Sequence, residues 1–241
     1  MHRSWPYFAA ALLPLLLFAP VFAQPADSAH AQEPEALTAR YNQAMLAKDW
    51  PQAVTTAQEL VNLHATSQNL KLLGNAQLYS GSSPEALDTY NRALAVAELE
   101  KPAEGQAVDK WKDGVSQIYI GRGNALLKLH RAPEAIENYN HGAELAANPA
   151  RAYFNVCAVL YNTGDTKNAP AACRKCLQAD PAKADAWFIL GSVLFADAPI
   201  NGQGKVVATT ELREALEKYL ALAPGGPHAA DTKAMLDMVA K

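Results

Sequence analysis

The chain has 241 residues, of which 50% are hydrophobic and 19% are charged, so it holds enough apolar surface for a sizeable core in one or two domains. This composition excludes disorder of the whole chain. Lysine and arginine number 21 against 24 acidic residues. Because no basic run is present that would release counterions from a phosphate backbone, a nucleic-acid partner is not expected.

The amino terminus has the pattern of an export signal. Basic residues precede an uncharged apolar stretch from Trp5 to Phe22, and Val21 and Ala23 place small residues where a signal peptidase needs them. We therefore expect residues 1–23 to be a signal peptide, and the mature protein to be periplasmic or secreted. A retained membrane anchor is the alternative, but two prolines inside the stretch would break a spanning helix. Residues 24–33, rich in Ala, Gln and Pro, are expected to form a flexible leader.

A period of 34 residues organises the rest of the chain. Gly123, Cys157 and Gly191 are separated by 34 residues each, and every one of them lies within an apolar pattern of helical period. Second helices begin near Pro84 and Pro133, since proline in the first helical turn loses no hydrogen bond and presets φ. A fixed period of this length predicts stacked helical hairpins.

The second hairpin shows the pattern most fully. It contains Leu70-Lys-Leu-Leu-Gly74, then Gly81, Pro84-Glu-Ala86, Tyr90 and Ala93. With its 34-residue helix-turn-helix unit, it resembles the tetratricopeptide-repeat family. The resemblance covers nearly all of residues 34–224. It implies an all-α superhelix in which small residues lie where the two helices of a hairpin approach closely.

The register predicts an all-α solenoid of about five helix-turn-helix repeats followed by a C-terminal capping helix. The repeats are residues 34–66, 67–100, 116–149, 150–183 and 184–224, and the cap is residues 225–241. Two insertions interrupt the array, at residues 101–115 and near residues 197–208. Insertions in solenoids emerge as loops on one face, often the binding face, although plain surface loops cost little. Both interpretations stay open. The Asn201-Gly202 pair favours a small hairpin in the second insertion.

The three cysteines fall at positions that the family fills with small core residues. Buried free thiols are one interpretation, and a disulfide between Cys157 and Cys173 across the hairpin is another, since export leads to an oxidising compartment. Zinc is not expected, because three thiols have no fourth ligand at a suitable spacing. Cys173-Arg-Lys-Cys176 spells CxxC, but inside a helix, so redox catalysis is not predicted.

Catalytic motifs are missing from the sequence. The six histidines form no HExxH, and no serine stands in a nucleophile elbow. Gly121-Arg-Gly123 lacks the third glycine and the preceding strand of a dinucleotide loop. We therefore predict no enzyme activity, no cofactor and no metal.

The family resemblance implies a concave groove, lined by the first helix of each repeat, that holds a peptide. Carried over position by position, the candidate groove residues are Lys71, Asn75 and Tyr79 in the second repeat, Asn124 and Lys128 in the third, Arg151, Asn155 and Tyr161 in the fourth, and Phe188, Ser192 and Phe195 in the fifth. Asparagine can hydrogen-bond an extended backbone, while lysine and arginine attract carboxylates. Lys71 with Asn75 resembles half of the carboxylate clamp of chaperone-binding members. The other half is not expected, because Ile120 and Gly121 stand where a further polar contact should be.

These expectations lead to a protein–protein interaction scaffold or adaptor of the cell envelope, which binds a peptide or helix of a protein partner in its groove. The alternative is a structural subunit of an envelope assembly, or a self-associating array whose groove is only a stacking surface. A third possibility is a module that presents an enzyme to its substrate. The sequence leaves all three open.

Overall fold

A computed structural model describes residues 26–240, with side-chain surroundings from Glu33 onward except at Gln106. The predicted signal peptide, residues 1–23, lies outside this range. Within it, the backbone forms the following helices: α1 Ala26–Ala47, α2 Trp50–Leu63, α3 Ser67–Tyr79, α4 Ser83–Leu99, α5 Gln106–Lys128, α6 Ala132–Leu145, α7 Ala150–Asn162, α8 Ala169–Ala179, α9 Ala184–Asp197, α10 Thr210–Leu222 and α11 Ala229–Met238. No helix in the described residues is long and apolar enough to cross a membrane.

The helices begin where the sequence supplies starting signals. A proline occupies the first turn of α2, α4, α6 and α8, where it costs no hydrogen bond. Side-chain caps occur at the start of α2, α3 and α10: the oxygens of Asp49, Thr66 and Thr209 each accept a hydrogen bond at 3.1 Å from the backbone N–H three residues later. These local signals divide the chain into five hairpins, α1–α2, α3–α4, α5–α6, α7–α8 and α9–α10.

The two helices of a hairpin meet where one of them has a small residue. A Cβ atom on Gly74 would lie 2.8 Å from the ring of Tyr90, and one on Gly123 would lie 2.6 Å from the ring of Tyr139. Each glycine therefore makes the space that the tyrosine of the following helix fills. Both tyrosines are essentially inaccessible to solvent.

The first hairpin reverses this arrangement. Tyr41 stands at the glycine position of α1, and Ala57 stands at the tyrosine position of α2; both are buried. The Tyr41 hydroxyl donates to the backbone oxygen of Leu72 at 3.1 Å, which ties the first hairpin to the second. The repeat departs from the pattern because the bulky residue comes from its first helix.

The first helices line the inner side of the stack. Successive helices pack on one another along the chain. In addition, α3 contacts α5 and α7 contacts α9, whereas the second helices of different hairpins make few or no contacts with one another within the described residues. Since α3 approaches α5, and α7 approaches α9, more closely than the second helices approach one another, the first helices form the concave side.

Two predictions about chain segments need correction. Residues 26–33 of the predicted flexible leader belong to α1. The first insertion is not mainly a loop, because α5 begins at Gln106 and extends by more than two turns beyond the hairpin it belongs to. Trp111 fixes this extension: its indole N–H donates to the backbone oxygen of Ala97 at 2.7 Å.

The second insertion and the C-terminus close the stack together. The backbone of Asn201 donates to Lys205 at 2.8 Å, so residues 199–207 form a small hairpin. Val206 donates to Met238 at 2.9 Å and accepts from Ala240 at 2.8 Å. A separate apolar cluster of Val206, Leu212, Leu216 and Val239 lies beneath these bonds. The insertion therefore fixes the C-terminal end of the capping helix α11 against the fifth hairpin.

Candidate functional site

Two asparagines of the concave side are held in the same way by tyrosines. The Tyr90 hydroxyl donates to the side-chain oxygen of Asn75, and the Tyr139 hydroxyl donates to that of Asn124, each at 2.7 Å. In both cases the tyrosine lies 15 residues later in the chain. Because the oxygen is occupied, the amide NH₂ remains as a donor. The NH₂ group of Asn75 faces the Tyr41 hydroxyl, whose pKa it lowers, whereas that of Asn124 has no hydrogen-bond acceptor within the described residues.

Gly121 makes this arrangement possible. A Cβ atom there would lie 2.7 Å from the ring of Tyr90, so the tyrosine occupies the space between Gly74 of its own hairpin and Gly121 of the next. The sequence suggested that Gly121 marks a missing polar contact. In the structure, the absence of a side chain at Gly121 leaves room for the Tyr90 ring, and Tyr90 orients Asn75.

Lys71 is buried beside this pair, with only 7% of its surface exposed. Its ammonium donates to the side-chain oxygen of Gln117 at 2.6 Å, and the Gln117 amide in turn donates to Asp113 at 2.9 Å. Burial lowers the pKa of Lys71, the nearby Asp113 carboxylate opposes this shift, and the Arg151 charge adds to it. An ammonium has three donors, and Lys71 uses one of them within the described residues.

Arg151, at the start of α7, completes the group of donors. Its side chain is exposed, and within the described residues it forms no ion pair. Burial raises the pKa values of Tyr90 and Tyr139, the latter to about 12, and in both cases the charge of Arg151 opposes the rise. The charge of Arg151 therefore acts on both tyrosine–asparagine pairs. We call Lys71, Asn75, Asn124 and Arg151 the donor cluster.

A shallow cleft of about 360 Å³ adjoins Arg151 and extends to Phe154 and Lys183. The Lys183 ammonium lies 4.3 Å from the centre of the Phe154 ring and 3.7 Å from a carboxylate oxygen of Asp185. The cleft thus continues the concave face beyond the donor cluster with an aromatic surface.

Other predicted groove residues have different surroundings. Phe188 is buried and stacks on His228 with ring centres 3.8 Å apart, so it packs the capping helix and does not face a ligand. Phe195 packs against the C-terminal apolar cluster. Tyr79 is 59% exposed and stacks on Trp50 with ring centres 5.4 Å apart.

The remaining four candidates do not join the donor cluster. Lys128 is exposed at the end of α5, while Asn155 and Tyr161 are half-buried on α7. The Ser192 hydroxyl is buried without a hydrogen-bond partner among the described residues. Phe188 and Phe195 were predicted to face the groove; Phe188 packs against His228 at the start of α11, and Phe195 packs against the cluster formed by the second insertion, α10 and Val239.

The fourth hairpin contains a disulfide between Cys157 and Cys173, which lie 16 residues apart. Cys176 is a free, buried thiol, and its burial raises its pKa to about 11, with Asp180 adding to the rise. Within the described residues no group of three or more histidine, cysteine or acidic side chains could hold a metal ion.

Sequence reasoning missed Gln117, Asp113 and Trp111, which build one end of the concave face. Trp111, Val115 and Ile118 are spaced by four and three residues, which is the helical period. That periodicity continues the third repeat backwards into the insertion, and it was the available signal that α5 is longer than its counterparts.

No family model matches the chain. An Hsp70-Hsp90 organizing protein of Triticum aestivum is 27% identical over 158 residues, which cover 66% of this chain and 23% of that protein. Hsp70-Hsp90 organizing protein 3 of Arabidopsis thaliana is 24% identical over 152 residues, covering 63% and 23%. The chain thus spans less than a quarter of the length of these relatives.

Solved structures with the same fold include YrrB, described as a TPR protein with an unusual peptide-binding site, at 19% identity and a TM-score of 0.55, covering 80% of this chain and 88% of YrrB. A tetratricopeptide repeat protein of Parabacteroides merdae has 16% identity and a TM-score of 0.58, covering 86% and 75%. MamA has 15% identity and a TM-score of 0.54, covering 88% and 99%. These likenesses agree with the hairpin register, and they show that the chain has the fold of a tetratricopeptide-repeat solenoid.

Proposed function

We propose that this chain is a non-catalytic interaction scaffold of the cell envelope whose concave face binds a carboxylate-bearing peptide of a partner protein. The donor cluster is the observation that carries the proposal. Two amide groups are oriented by buried tyrosine hydroxyls, and two cations stand beside them. Fixed donors of this kind bind an anion without further ordering cost.

Charge supports an anionic ligand. Lys71 and Arg151 carry positive charge on the concave face of a chain whose formal net charge is −3, and neither forms an ion pair within the described residues. Burial is the main cause of the lowered pKa of Lys71, and repulsion from the Arg151 charge adds to it. A carboxylate placed between them relieves this repulsion and supplies acceptors for both amides.

The names of the relatives support a role in binding proteins. Two are named Hsp70-Hsp90 organizing proteins, and YrrB is described as having a peptide-binding site. The export signal predicted for residues 1–23 and the Cys157–Cys173 disulfide support an envelope location, since disulfides persist in oxidising compartments.

A titration with two synthetic peptides tests the carboxylate. The probes are acetyl-Ala-Ala-Asp with a free carboxyl terminus and the same peptide with the terminus and side chain amidated, followed by ¹H–¹⁵N NMR of the full chain. We expect the acidic peptide to shift the side-chain NH₂ signals of Asn75 and Asn124. The amidated peptide should leave them in place.

Substitutions then locate the binding. Arg151→Gln and Asn124→Ala should each weaken binding of the acidic peptide by about tenfold, the effect of losing one charge-assisted hydrogen bond. Lys128→Gln is the matched control, because it removes one exposed positive charge outside the donor cluster and should leave the affinity unchanged. If all three variants bind alike, the donor cluster is not the site.

A further inference from the structure

A groove of about 240 Å³ lies on the outer side of the stack, where α8 and α10 flank α9. We call it the outer groove; Leu177, Gln178, Trp187, Leu190, Glu211 and Glu214 are among its lining residues. Pockets that hold a whole small ligand usually measure about 300–1,000 Å³, so the outer groove suits one long side chain of a partner. It shares no residue with the donor cluster.

The floor of the outer groove is apolar and its wall is aromatic. Leu177 and Leu190 are buried, and Trp187 is half-buried. The Trp187 indole N–H donates to the backbone oxygen of Pro181 at 2.8 Å, which fixes the orientation of the ring. Among aromatic side chains, tryptophan attracts a cation most strongly. A fixed, partly exposed indole is therefore a surface on which a cation can stack.

No cation of the described residues lies over the Trp187 ring. Elsewhere in the chain a lysine covers an aromatic ring in three places, with its ammonium 4.3–5.4 Å from the ring centre; the rings are those of Trp111, Tyr153 and Phe154. At Trp187 the chain supplies no such partner, so the exposed part of the ring is available to a cation of another molecule.

The unpaired charge of the outer groove is negative. Its charged lining residues are Arg174, Glu211 and Glu214. The Arg174 guanidinium donates to both oxygens of the Glu211 carboxylate, at 2.6 and 2.8 Å, so these two opposite charges offset each other. Glu214 is exposed and forms no ion pair within the described residues. One carboxylate thus stands unpaired beside the indole.

The nearby basic side chains are engaged elsewhere or lie outside the groove. The Arg213 guanidinium donates to the backbone oxygen of Ala240 at 2.9 Å, and the Lys175 ammonium lies over an aromatic ring of α7. Lys218, one turn after Glu214, does not line the groove and forms no ion pair within the described residues.

The end of α8 adds to the preference for a cation. Gln178, which lines the groove, lies in the last turn of α8, and this turn contains no basic residue. The carbonyl end of a helix carries a partial negative charge that stabilises a nearby cation. The helix end, the Glu214 carboxylate and the Trp187 ring therefore all favour an occupant with a positive charge.

We propose that the outer groove binds an arginine side chain of a second protein partner. The guanidinium stacks on Trp187 and pairs with Glu214, and the alkyl part of the side chain packs on Leu177. Arginine fits better than lysine, because its planar guanidinium can stack on a ring and pair with a carboxylate at the same time. The inference goes beyond the proposed function, because it gives the scaffold a second binding site on its outer side.

Two capped peptides test the charge requirement. The probe is acetyl-Gly-Arg-Gly-amide, and the comparison peptide carries citrulline, which keeps the shape of the arginine side chain without its charge. In ¹H–¹⁵N NMR titrations of the full chain in about 0.15 M salt, the probe should shift the indole N–H signal of Trp187, which Trp187→Phe identifies. The citrulline peptide should bind about fivefold more weakly or worse, since it loses both the ion pair and the attraction to the ring.

Substitutions on α9 and α10 locate the binding. Glu214→Gln should weaken probe binding by about two- to fivefold, and Glu214→Lys should abolish it, because the unpaired charge of the groove is then positive. Trp187→Leu keeps an apolar side chain but removes the ring, so it should also abolish binding. Glu217→Gln is the matched control, because it removes an exposed carboxylate from the same helix outside the groove and should bind like the wild type.

The outcomes separate this inference from the proposed function. If the Trp187 signal does not move, if both peptides bind alike, or if Glu214→Lys binds the probe like the wild type, the outer groove is not a site for arginine. If Trp187→Leu does not fold, the two Glu214 variants still decide. Binding of acetyl-Ala-Ala-Asp should be the same in Glu214→Lys and the wild type, so either site can fail without the other.

Discussion

Cys157 and Cys173 are bonded at the place in the fourth hairpin where, in the two preceding hairpins, a tyrosine packs over a glycine. The separation of 16 residues is the same as that of Gly123 from Tyr139. In the third hairpin the tyrosine also braces Asn124, whereas in the fourth Ala158 stands at the asparagine position. A covalent bond thus replaces an aromatic wedge between α7 and α8, and α7 carries Arg151 of the donor cluster.

Reduction should therefore weaken the fourth hairpin. A closed loop of this length lowers the entropy of the unfolded chain by the equivalent of about 3 kcal/mol, so we expect the free energy of unfolding in urea to fall by about 2–4 kcal/mol when dithiothreitol opens it. Cys176→Ala is the control, because it keeps the disulfide and should show the same sensitivity to reductant.

Thiol counting checks the premise directly. The protein denatured without reductant should take up alkylating reagent at Cys176 alone, and at all three cysteines after reduction. In the native state, burial and the raised pKa of Cys176 should make alkylation slow. Three alkylated cysteines in the non-reduced protein would contradict the disulfide.

Two glycines of α5 should respond in opposite ways to alanine. Gly123→Ala places a methyl group 2.6 Å from the buried Tyr139 ring, and we expect a loss of about 1–3 kcal/mol from overpacking. Gly114→Ala adds a methyl group to open space, and the gain in helix propensity should be about 0.5–1 kcal/mol.

Chemical denaturation of both variants measures the difference. The substitution is identical, and the two sites are on one helix, so effects on the unfolded chain largely cancel. If both variants are destabilised to the same extent, Gly114 has a packing role that the structure does not show.

The same two glycines illustrate what the sequence predicted and what it did not. Gly123 repeats at 34 residues, and periodicity predicted its hairpin because the constraint is local and recurs. Gly114 lies in the insertion at residues 101–115, which has no counterpart in the other repeats, so the 34-residue period made no prediction for it. Phe188 was assigned to the groove by its position in the repeat. Its partner, His228, follows the Gly225-Gly226-Pro227 break, and the repeat pattern gives no information about where a segment after the last repeat packs.

A cross-repeat ion pair should give a small, pH-dependent contribution to stability. The Arg174 guanidinium on α8 donates two hydrogen bonds to the Glu211 carboxylate on α10, at 2.6 and 2.8 Å, and these bonds lower the pKa of Glu211. Both side chains are about 40% exposed or more, so solvent screening limits the effect of Glu211→Gln to about 0.2–1 kcal/mol at pH 7.

The sign of the pH dependence follows from the lowered pKa. The contribution is fully present above the ordinary glutamate pKa of about 4.3 and is lost as the pH falls through the lower value in the folded protein. Denaturation at pH 7 and pH 3 should show the variant less stable at pH 7 and closer to the wild type at pH 3. Glu217→Gln, an exposed change on the same helix, should be neutral at both.

Replacing Lys71 should preserve or raise the free energy of unfolding and should abolish binding of the acidic peptide. Burial lowers its pKa, which means that the folded state disfavours the ammonium, so wild-type stability should rise with pH as Lys71 loses its proton below its unfolded pKa of about 10.4. Lys71→Met removes the buried charge, and we expect unfolding at pH 7 to cost the same or up to about 1 kcal/mol more. Acidic-peptide binding should be lost.

Lys128→Met, exposed on the next hairpin, should change stability by less than about 0.5 kcal/mol. A clear destabilisation by Lys71→Met would mean that Gln117 and Asp113 stabilise the ammonium more than burial disfavours it, and that its role is structural.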